Sequence, residues 1–154
     1  MNDDLFFGGD SESQEPINFL DNRFHDLAPF AALEVEVDAV VYKTAEHAYQ
    51  SLRALPEARE KIMSAKSPLD AWREGQRCKN EGKLLSGYDK DALMEKIFRA
   101  KLAQHPDLTL VLKASGNRLL LKVTSNDSYW GTGADATGQN KMGELWMKLR
   151  SELE

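Results

Sequence analysis

The sequence is poor in cysteine, which limits both its cross-links and its covalent chemistry. Among the 154 residues there is one cysteine, Cys78, so no disulfide can form within the chain. This thiol stands in the charged stretch WREGQRCKNEG, where a helix is expected and no base accompanies it. We therefore expect Cys78 to be inert.

Long hydrophobic runs are missing as well. No apolar stretch approaches the roughly 20 residues that a membrane-spanning helix needs. The opening residues, MNDD, are acidic, and the apolar core of a signal peptide does not follow them. We expect a cytoplasmic protein that makes no contact with a membrane.

Positive charge is in deficit, because 20 Lys and Arg residues face 25 Asp and Glu residues and the net charge is −5. An acidic chain binds phosphate backbones weakly, so DNA is a disfavoured partner, although modified DNA stays open as a substrate. The length fits a single domain over residues 1–154.

Motifs for metal binding and covalent catalysis are also absent. The three histidines, His25, His47 and His105, are scattered and lack the paired spacing of a zinc site. No Gly-x-Ser-x-Gly nucleophile occurs, and the late glycines match neither a P-loop nor a dinucleotide fingerprint. We expect no metal ion and no cofactor.

The apolar and capping patterns predict an α+β fold. Residues 33–38 alternate between apolar and acidic side chains, and a two-residue turn at Asp38-Ala39 leads to residues 40–42, which predicts a hairpin. The apolar run 118–123 predicts a well-covered strand. Predicted helices begin at Thr44, Pro56, Ser67-Pro68, Asp89 or Asp91, Pro106-Asp107 and Asn140.

These elements predict several helices packed around a small, mainly antiparallel sheet. The short apolar run at residues 5–7 could add a strand, and residues 8–16 are polar and turn-rich, which is typical of an exposed loop. The last helix is expected to end near Leu153 and to turn Met142, Leu145, Trp146 and Leu149 inward.

A glycine-rich stretch at residues 125–143 is the most distinctive feature of the chain. Its four glycines permit unusual backbone angles and close approach, so we expect it to cradle a ligand rather than to be a plain surface loop. Asp127 could be catalytic or could form an Asx-turn. Trp130 could stack on a heterocycle or fill the core. The turn before Asn140 would offer free backbone N–H groups to a phosphate.

A second carboxylate, Glu46, lies in the first turn of the helix that Thr44 begins, on one face with Gln50. There it could serve catalysis or merely complement the helix dipole. Two carboxylates, a stacking ring and an anion site together suggest a phosphorylated riboside that carries a heterocycle.

The sequence resembles the NADAR (YbiA-like) family of N-glycosidases over nearly its whole length from Asn18 onward. The segments that carry the resemblance are Asn18-Phe19, TAEHAYQ (44–50), IMSAKSP (62–68), DSYWGTG (127–133), GQNKMG (138–143) and LWMKLR (145–150).

The resemblance implies hydrolysis of a C1′–N glycosidic bond, in ribosylamino-pyrimidine phosphates of riboflavin synthesis or in ADP-ribosylated guanine. It implies that Glu46 and Asp127 are catalytic, and we assign water activation to Glu46 and cation stabilisation to Asp127, an allocation that could be reversed. The substrate-binding residues it implies are Asn18, Phe19, Tyr49, Lys66, Tyr88, Trp130, Gly131, Gly133 and Asn140.

Three positions depart from the family pattern. Lys122 stands where an acidic residue is usual, Tyr88 replaces a tryptophan, and Leu85 stands where an arginine is usual. These departures leave the substrate open. The alternatives to a small phosphorylated ribosyl or ADP-ribosyl substrate are ADP-ribosyl-guanine in DNA and a non-catalytic module that binds ADP-ribose or a nucleotide.

Overall fold

The computed structural model describes residues 15–153, apart from the side chain of Asn22. Contacts divide the chain into two compact units, one of residues 15–28 and 107–153 and the other of residues 29–106. The proposed strand at residues 5–7 and most of the polar loop at 8–16 lie outside the described residues. That the two units form one domain stays a prediction.

Helices dominate the described part of the chain, and the α+β class is confirmed. The helices are α1 (Ala45–Arg53), α2 (Arg59–Met63), α3 (Pro68–Asn80), α4 (Lys90–Gln104), α5 (Pro106–Ala114) and α6 (Lys141–Ser151), with 3-10 turns at Asn22–Leu27 and Pro56–Ala58. The strands are β1 (Ile17–Asn18), β2 (Val35–Val37), β3 (Val40–Tyr42) and β4 (Leu120–Leu121). None of the described helices is long and apolar enough to cross a membrane.

The predicted hairpin is present in the second unit. Strands β2 and β3 pair antiparallel, and Val35 and Val37 are buried while Glu36 points outward. Asp38 and Ala39 have φ angles of 52° and 69°. Two successive left-handed residues give the tight turn that matches the twist of antiparallel strands, so the hairpin follows from local geometry.

Helix α1 lies at the centre of the second unit, where it packs against α2, α3 and α4. The Thr44 hydroxyl accepts a hydrogen bond from the backbone N–H of His47 (3.1 Å), which confirms the predicted N-cap. Ala54, Ile62 and Cys78 belong to an apolar cluster beneath these helices. The Cys78 thiol is completely buried there, which fits an inert role.

The first unit contains a pairing that the sequence did not predict. Strands β1 and β4 pair in parallel, with Ile17 opposite Leu120. The prediction that residues 118–123 form a well-covered strand is wrong, because only Leu120–Leu121 is strand and the flanking Leu119 and Val123 are 54% and 48% exposed. Because β1 and β4 pair over only two residues each, the two ends of the apolar run 118–123 are left uncovered.

Helix α6 covers this pair and shows the predicted inward face, with Met142, Trp146 and Leu149 buried. The indole N–H of Trp146 donates to the Leu27 carbonyl (2.9 Å), which satisfies the polar atom of a fully buried ring. Leu145 is only half-buried.

Gly143 lets α6 approach the backbone of β4, and its replacement is expected to destabilise the fold. A Cβ at this position would lie 2.0 Å from the Leu120 carbonyl oxygen and 2.4 Å from Nδ2 of Asn140. We expect Gly143→Ala to lower the free energy of unfolding by about 1–3 kcal/mol, measured by urea denaturation. In open space the same change would stabilise a helix by up to about 1 kcal/mol, so a stabilised variant would contradict the packing described.

Candidate active site

The first of two polar centres, the glutamate centre, is built on helix α1 from Glu46, Gln50 and Arg53. Gln50 Nε2 donates to Glu46 Oε2 (2.6 Å), and Arg53 Nε donates to Gln50 Oε1 (3.0 Å). Spacings of four and three residues put these side chains on one helical face. Their exposed fractions are 7%, 3% and 8%, so a carboxylate and a guanidinium are held in a nearly dry environment.

Gly75 on helix α3 makes room for this chain of hydrogen bonds. A Cβ at Gly75 would lie 1.9 Å from Gln50 Oε1. The Gln50 side chain therefore lies directly on the backbone of α3, which fixes the amide that orients Glu46. Sequence reasoning missed Gly75 because nothing in the sequence pairs it with Gln50.

The Arg53 guanidinium extends the centre to two predicted substrate-binding residues. Its Nη1 donates to the Tyr88 hydroxyl (3.4 Å), its Nη2 donates to Gln76 Oε1 (3.3 Å), and its carbon lies 5.3 Å from the centre of the Tyr49 ring. Burial raises the pKa of Tyr49, and the neighbouring Tyr88 raises it further. The Tyr49 phenol is therefore a neutral donor or acceptor near Arg53, not a base.

His47 holds the start of α1 in place through both nitrogens of its ring. Its Nδ1 lies 2.8 Å from the Thr44 hydroxyl and its Nε2 lies 3.0 Å from the Ala65 carbonyl. A neutral ring with its proton on Nε2 satisfies both contacts. Burial lowers the pKa of His47, the Ala65 hydrogen bond opposes this, and Lys43 lowers it further.

The lowered pKa of His47 makes stability depend on pH. Because the unfolded ring titrates near pH 6.5 and the folded ring at lower pH, the unfolded state binds more protons in that interval. The stabilisation is complete above the unfolded pKa and is lost as pH falls through the folded pKa. We expect the free energy of unfolding, measured in urea between about pH 7.5 and pH 5.5, to fall more steeply in the parent than in His47→Gln. Parallel profiles would contradict this.

The second centre, the aspartate centre, is built from Asp127, Lys122 and the turn that follows. Asp127 Oδ1 accepts the backbone N–H groups of Tyr129 (3.1 Å) and Trp130 (2.9 Å), which is the Asx-turn considered from the sequence. Its Oδ2 accepts from Lys122 Nζ (3.0 Å). The lysine that departs from the family pattern is thus the ion-pair partner of the predicted catalytic aspartate.

These contacts keep Asp127 ionised. Burial raises the pKa of its carboxyl group, but the charge and hydrogen bond of Lys122 and the two backbone N–H groups outweigh burial, so that the pKa lies below its ordinary value. A carboxylate in this state can stabilise positive charge but does not hold a proton to donate at neutral pH.

The glycines around Trp130 serve the loop's own packing. A Cβ at Gly131 would lie 2.5 Å from Thr124 Cγ2 and 2.7 Å from the Lys122 carbonyl, and one at Gly138 would lie 2.5 Å from the Gly131 carbonyl. Gly133 has a φ of +76°. The close approach that these glycines permit is between parts of the loop itself, and that Gly131 and Gly133 also contact a substrate stays a prediction.

The predicted phosphate site at the start of α6 is also corrected. Five successive backbone N–H groups, those of residues 138–142, donate to loop carbonyls at 2.7–3.1 Å. The accepting carbonyls belong to Thr132, Ser128, Gly131, Tyr129 and Trp130. These donors are occupied, so the prediction that they are free for an anion is wrong.

Asn18 and Asn140 both stabilise the ends of the parallel strand pair. Asn140 Oδ1 accepts from the Lys122 N–H (2.9 Å) and its Nδ2 donates to the Leu120 carbonyl (2.9 Å), which completes the free edge of β4. Asn18 Oδ1 accepts from the Val123 N–H (3.2 Å). Asn18 also lines a cavity of about 280 Å³. Substrate contacts by these two amides stay predictions.

The remaining predicted residues differ in exposure. Phe19 is completely buried, and a substrate contact by this residue stays a prediction. Trp130 is half-buried and meets the Tyr129 ring edge-on, with centroids 5.0 Å apart, so the indole is neither a core residue nor an open platform. Lys66 is exposed after α2.

Two further observations concern metal sites and cavities among the described residues. Within residues 15–153 there is no group of three or more His, Cys, Asp or Glu side chains that could hold a metal ion. A larger cavity of about 380 Å³ is lined by Lys113, Gly116, Asn117, Arg150 and Leu153 and includes none of the predicted site residues.

Comparison with known proteins identifies the relatives of this chain. It is 38% identical over 141 residues to the N-glycosidase YbiA of Escherichia coli K12, covering 89% of this chain and 88% of that protein. It is 32% identical over 127 residues to the chloroplastic riboflavin biosynthesis protein PYRR of Zea mays, covering 75% of this chain but 20% of that protein.

The solved NMR structure of E. coli YbiA superposes with a TM-score of 0.78 at 35% identity, covering 91% of this chain and 85% of that one. The NADAR domain model matches residues 6–154. A match over almost the entire chain, with a shared fold, shows the family: this chain belongs to the NADAR family.

Proposed function

We propose that this chain hydrolyses the C1′–N bond of a phosphorylated ribosyl compound, of the ribosylamino-pyrimidine phosphate or ADP-ribose type. The chain is a hydrolase of N-glycosyl bonds on the strength of its relatives, which are named N-glycosidases. A relative named as a riboflavin biosynthesis protein supports the first type of substrate. The observation that carries the chemistry is the buried carboxylate of Glu46, held in one orientation by Gln50.

Glu46 activates the attacking water. The Gln50 hydrogen bond occupies Oε2 and fixes the plane of the carboxylate. The water oxygen bonds to C1′ while one of its protons passes to Glu46, and the electron pair of the C1′–N bond leaves with the nitrogen. The proton is then returned to that nitrogen, which releases an amine and a sugar hydroxyl. A positioned base of this kind contributes about 10²–10⁴-fold in rate.

Asp127 stabilises the positive charge that develops on the ribose as the C1′–N bond breaks. Its lowered pKa keeps it anionic throughout, which suits electrostatic stabilisation and not proton donation. This supports the division of roles in which Glu46 moves the proton. Lys122 limits the negative charge that Asp127 presents, and the Asx-turn holds Oδ1 in place.

A modified base in DNA is less well supported as the substrate. Lys101, which could have contributed to a basic surface, is completely buried. The chain's net charge of −5 also opposes broad binding to a phosphate backbone.

The proposal is tested by incubating the protein with ribosylamino-pyrimidine phosphates, NAD, ADP-ribose and ADP-ribosylated DNA, with mass spectrometry for the released base or amine. We expect turnover of a small phosphorylated riboside. Turnover of the modified DNA alone would replace the proposed substrate, and tight binding of ADP-ribose without any product would make the chain a binding module.

A further inference from the structure

Arg53 is a buried cation whose partners are all neutral. Its side chain bonds to two amide oxygens, those of Gln50 and Gln76, and to the Tyr88 hydroxyl, and no carboxylate of residues 15–153 forms an ion pair with it. The residue is only 8% exposed. Burying a charge costs several kcal/mol unless it is paired. Among the described residues the guanidinium is linked to the Glu46 carboxylate only through the Gln50 amide, so it has no direct ion pair.

The contacts made by the guanidinium terminus are weak. The distances from Nη1 to Tyr88 and from Nη2 to Gln76 are 3.4 and 3.3 Å, whereas N–H···O contacts to an anionic oxygen are typically about 2.7–2.9 Å. Tyr88 and Gln76 are both partly exposed, so neither acceptor is enclosed in the core. The two terminal nitrogens present the parallel donors that a carboxylate or phosphate accepts.

The backbone holds this arrangement in place. The Leu85 N–H donates to the Arg53 carbonyl (2.8 Å), which ties the segment leading to Tyr88 to the end of α1. On the other side, the Gln50 amide links Arg53 to Glu46. One amide group thus separates the cation from the proposed base.

From this geometry we infer that Arg53, flanked by Gln76 and Tyr88, is an anion subsite that takes a phosphate group of the substrate. The inference rests on the proposed function, because it takes the substrate to be a phosphorylated riboside whose C1′ reacts at Glu46. The phosphate displaces the neutral acceptors from Nη1 and Nη2 and gives these two nitrogens a direct anionic partner. The phosphate comes from a 5′-monoester or from the pyrophosphate of ADP-ribose.

Binding is measured directly, without turnover. Ribose 5-phosphate and ADP-ribose are titrated into the folded protein while the Nε–H resonance of Arg53 is followed by NMR, assigned from its loss in Arg53→Lys. We expect a saturable shift, with the tighter of the two ligands identifying the phosphate source. No shift with either ligand would overturn the inference. Because no hydrolysis is involved, this result is independent of whether the proposed reaction occurs.

Two variants at Gln76 form a matched pair. Gln76→Glu places a carboxylate beside Nη2, which supplies a direct anionic partner from within the protein. We expect it to raise the Tm and to weaken ribose 5-phosphate or ADP-ribose binding about tenfold or more, whereas Gln76→Met leaves the affinity unchanged or tighter. Equal affinities of the two variants would contradict an anion subsite and leave Arg53 a structural residue.

Substitution of Arg53 itself gives a graded result. Arg53→Lys keeps the positive charge but loses the planar pair of guanidinium donors, so we expect it to raise Kd for the phosphorylated ligand by about 10-fold. Arg53→Met loses both the charge and the donors, so we expect it to raise Kd by about 100-fold. If Arg53→Met does not fold, the lysine and Gln76 variants still decide the question. Unchanged affinity in Arg53→Lys and Gln76→Glu, with turnover intact, would reject this subsite and retain the proposed reaction.

Discussion

Replacement of Glu46 by Gln is expected to lower kcat about 10²–10⁴-fold, because the amide cannot accept the proton of the attacking water. The substitution keeps the size of the side chain and leaves an acceptor oxygen for the Gln50 amide, whose contact with Oε2 is 2.6 Å. We therefore expect little change in the Tm and little change in KM. The decrease in kcat is measured by single-turnover kinetics on whichever of the tested ribosyl compounds proves to be the substrate.

The matched control for this variant is Glu74→Gln on helix α3. Glu74 is a partly exposed carboxylate that pairs with Arg77 on the protein surface (2.6 Å), away from the hydrogen bonds of the glutamate centre. Its replacement should leave kcat unchanged. If Glu46→Gln keeps the parent kcat, Glu46 is not the base, and the proposed mechanism fails even if the chain remains an N-glycosidase.

Replacement of Asp127 by Asn is expected to lower kcat about 10²–10³-fold, through the loss of a negative charge that stabilises the ribosyl cation. Asparagine still accepts the Tyr129 and Trp130 N–H groups through Oδ1, so the Asx-turn and the loop should persist. What is lost is the charge and the ion pair with Lys122, and the effect should therefore appear in kcat and not in KM.

Lys122→Met separates these two losses. It removes the ion pair, which is 3.0 Å long, but leaves the Asp127 carboxylate. Because Lys122 contributes to the lowered pKa of Asp127, we expect the acid limb of kcat/KM to move to higher pH while the plateau rate is largely kept. An equal fall in kcat for Lys122→Met and Asp127→Asn would show that the ion pair matters and not the free carboxylate.

The double variant Glu46→Gln with Asp127→Asn measures whether the two carboxylates act in one chemical step. Groups that act as a unit in catalysis give strongly non-additive losses. We expect the double variant to lose much less than the product of the single losses. Fully multiplicative losses would mean that the two carboxylates contribute independently.

The sequence by itself determined the local elements. The hairpin turn at Asp38-Ala39 and the N-caps Thr44, Ser67 and Asp89 occur where they were predicted. Each depends on residues within a few positions of one another, such as a hydroxyl or carboxylate that accepts the first free N–H of a helix. For the same reason Glu46 and Gln50, four residues apart, could be placed on one face before any tertiary contact was known.

Tertiary structure decided what those side chains contact, because such contacts join residues that are distant in sequence. Gly75 makes room for Gln50, and the parallel pairing of Ile17 with Leu120 joins residues more than a hundred positions apart. The N–H groups before α6, which looked available, are taken by the carbonyls of the folded loop. The local sequence pattern indicates which groups can form hydrogen bonds, whereas only tertiary packing determines which of those groups are already hydrogen-bonded.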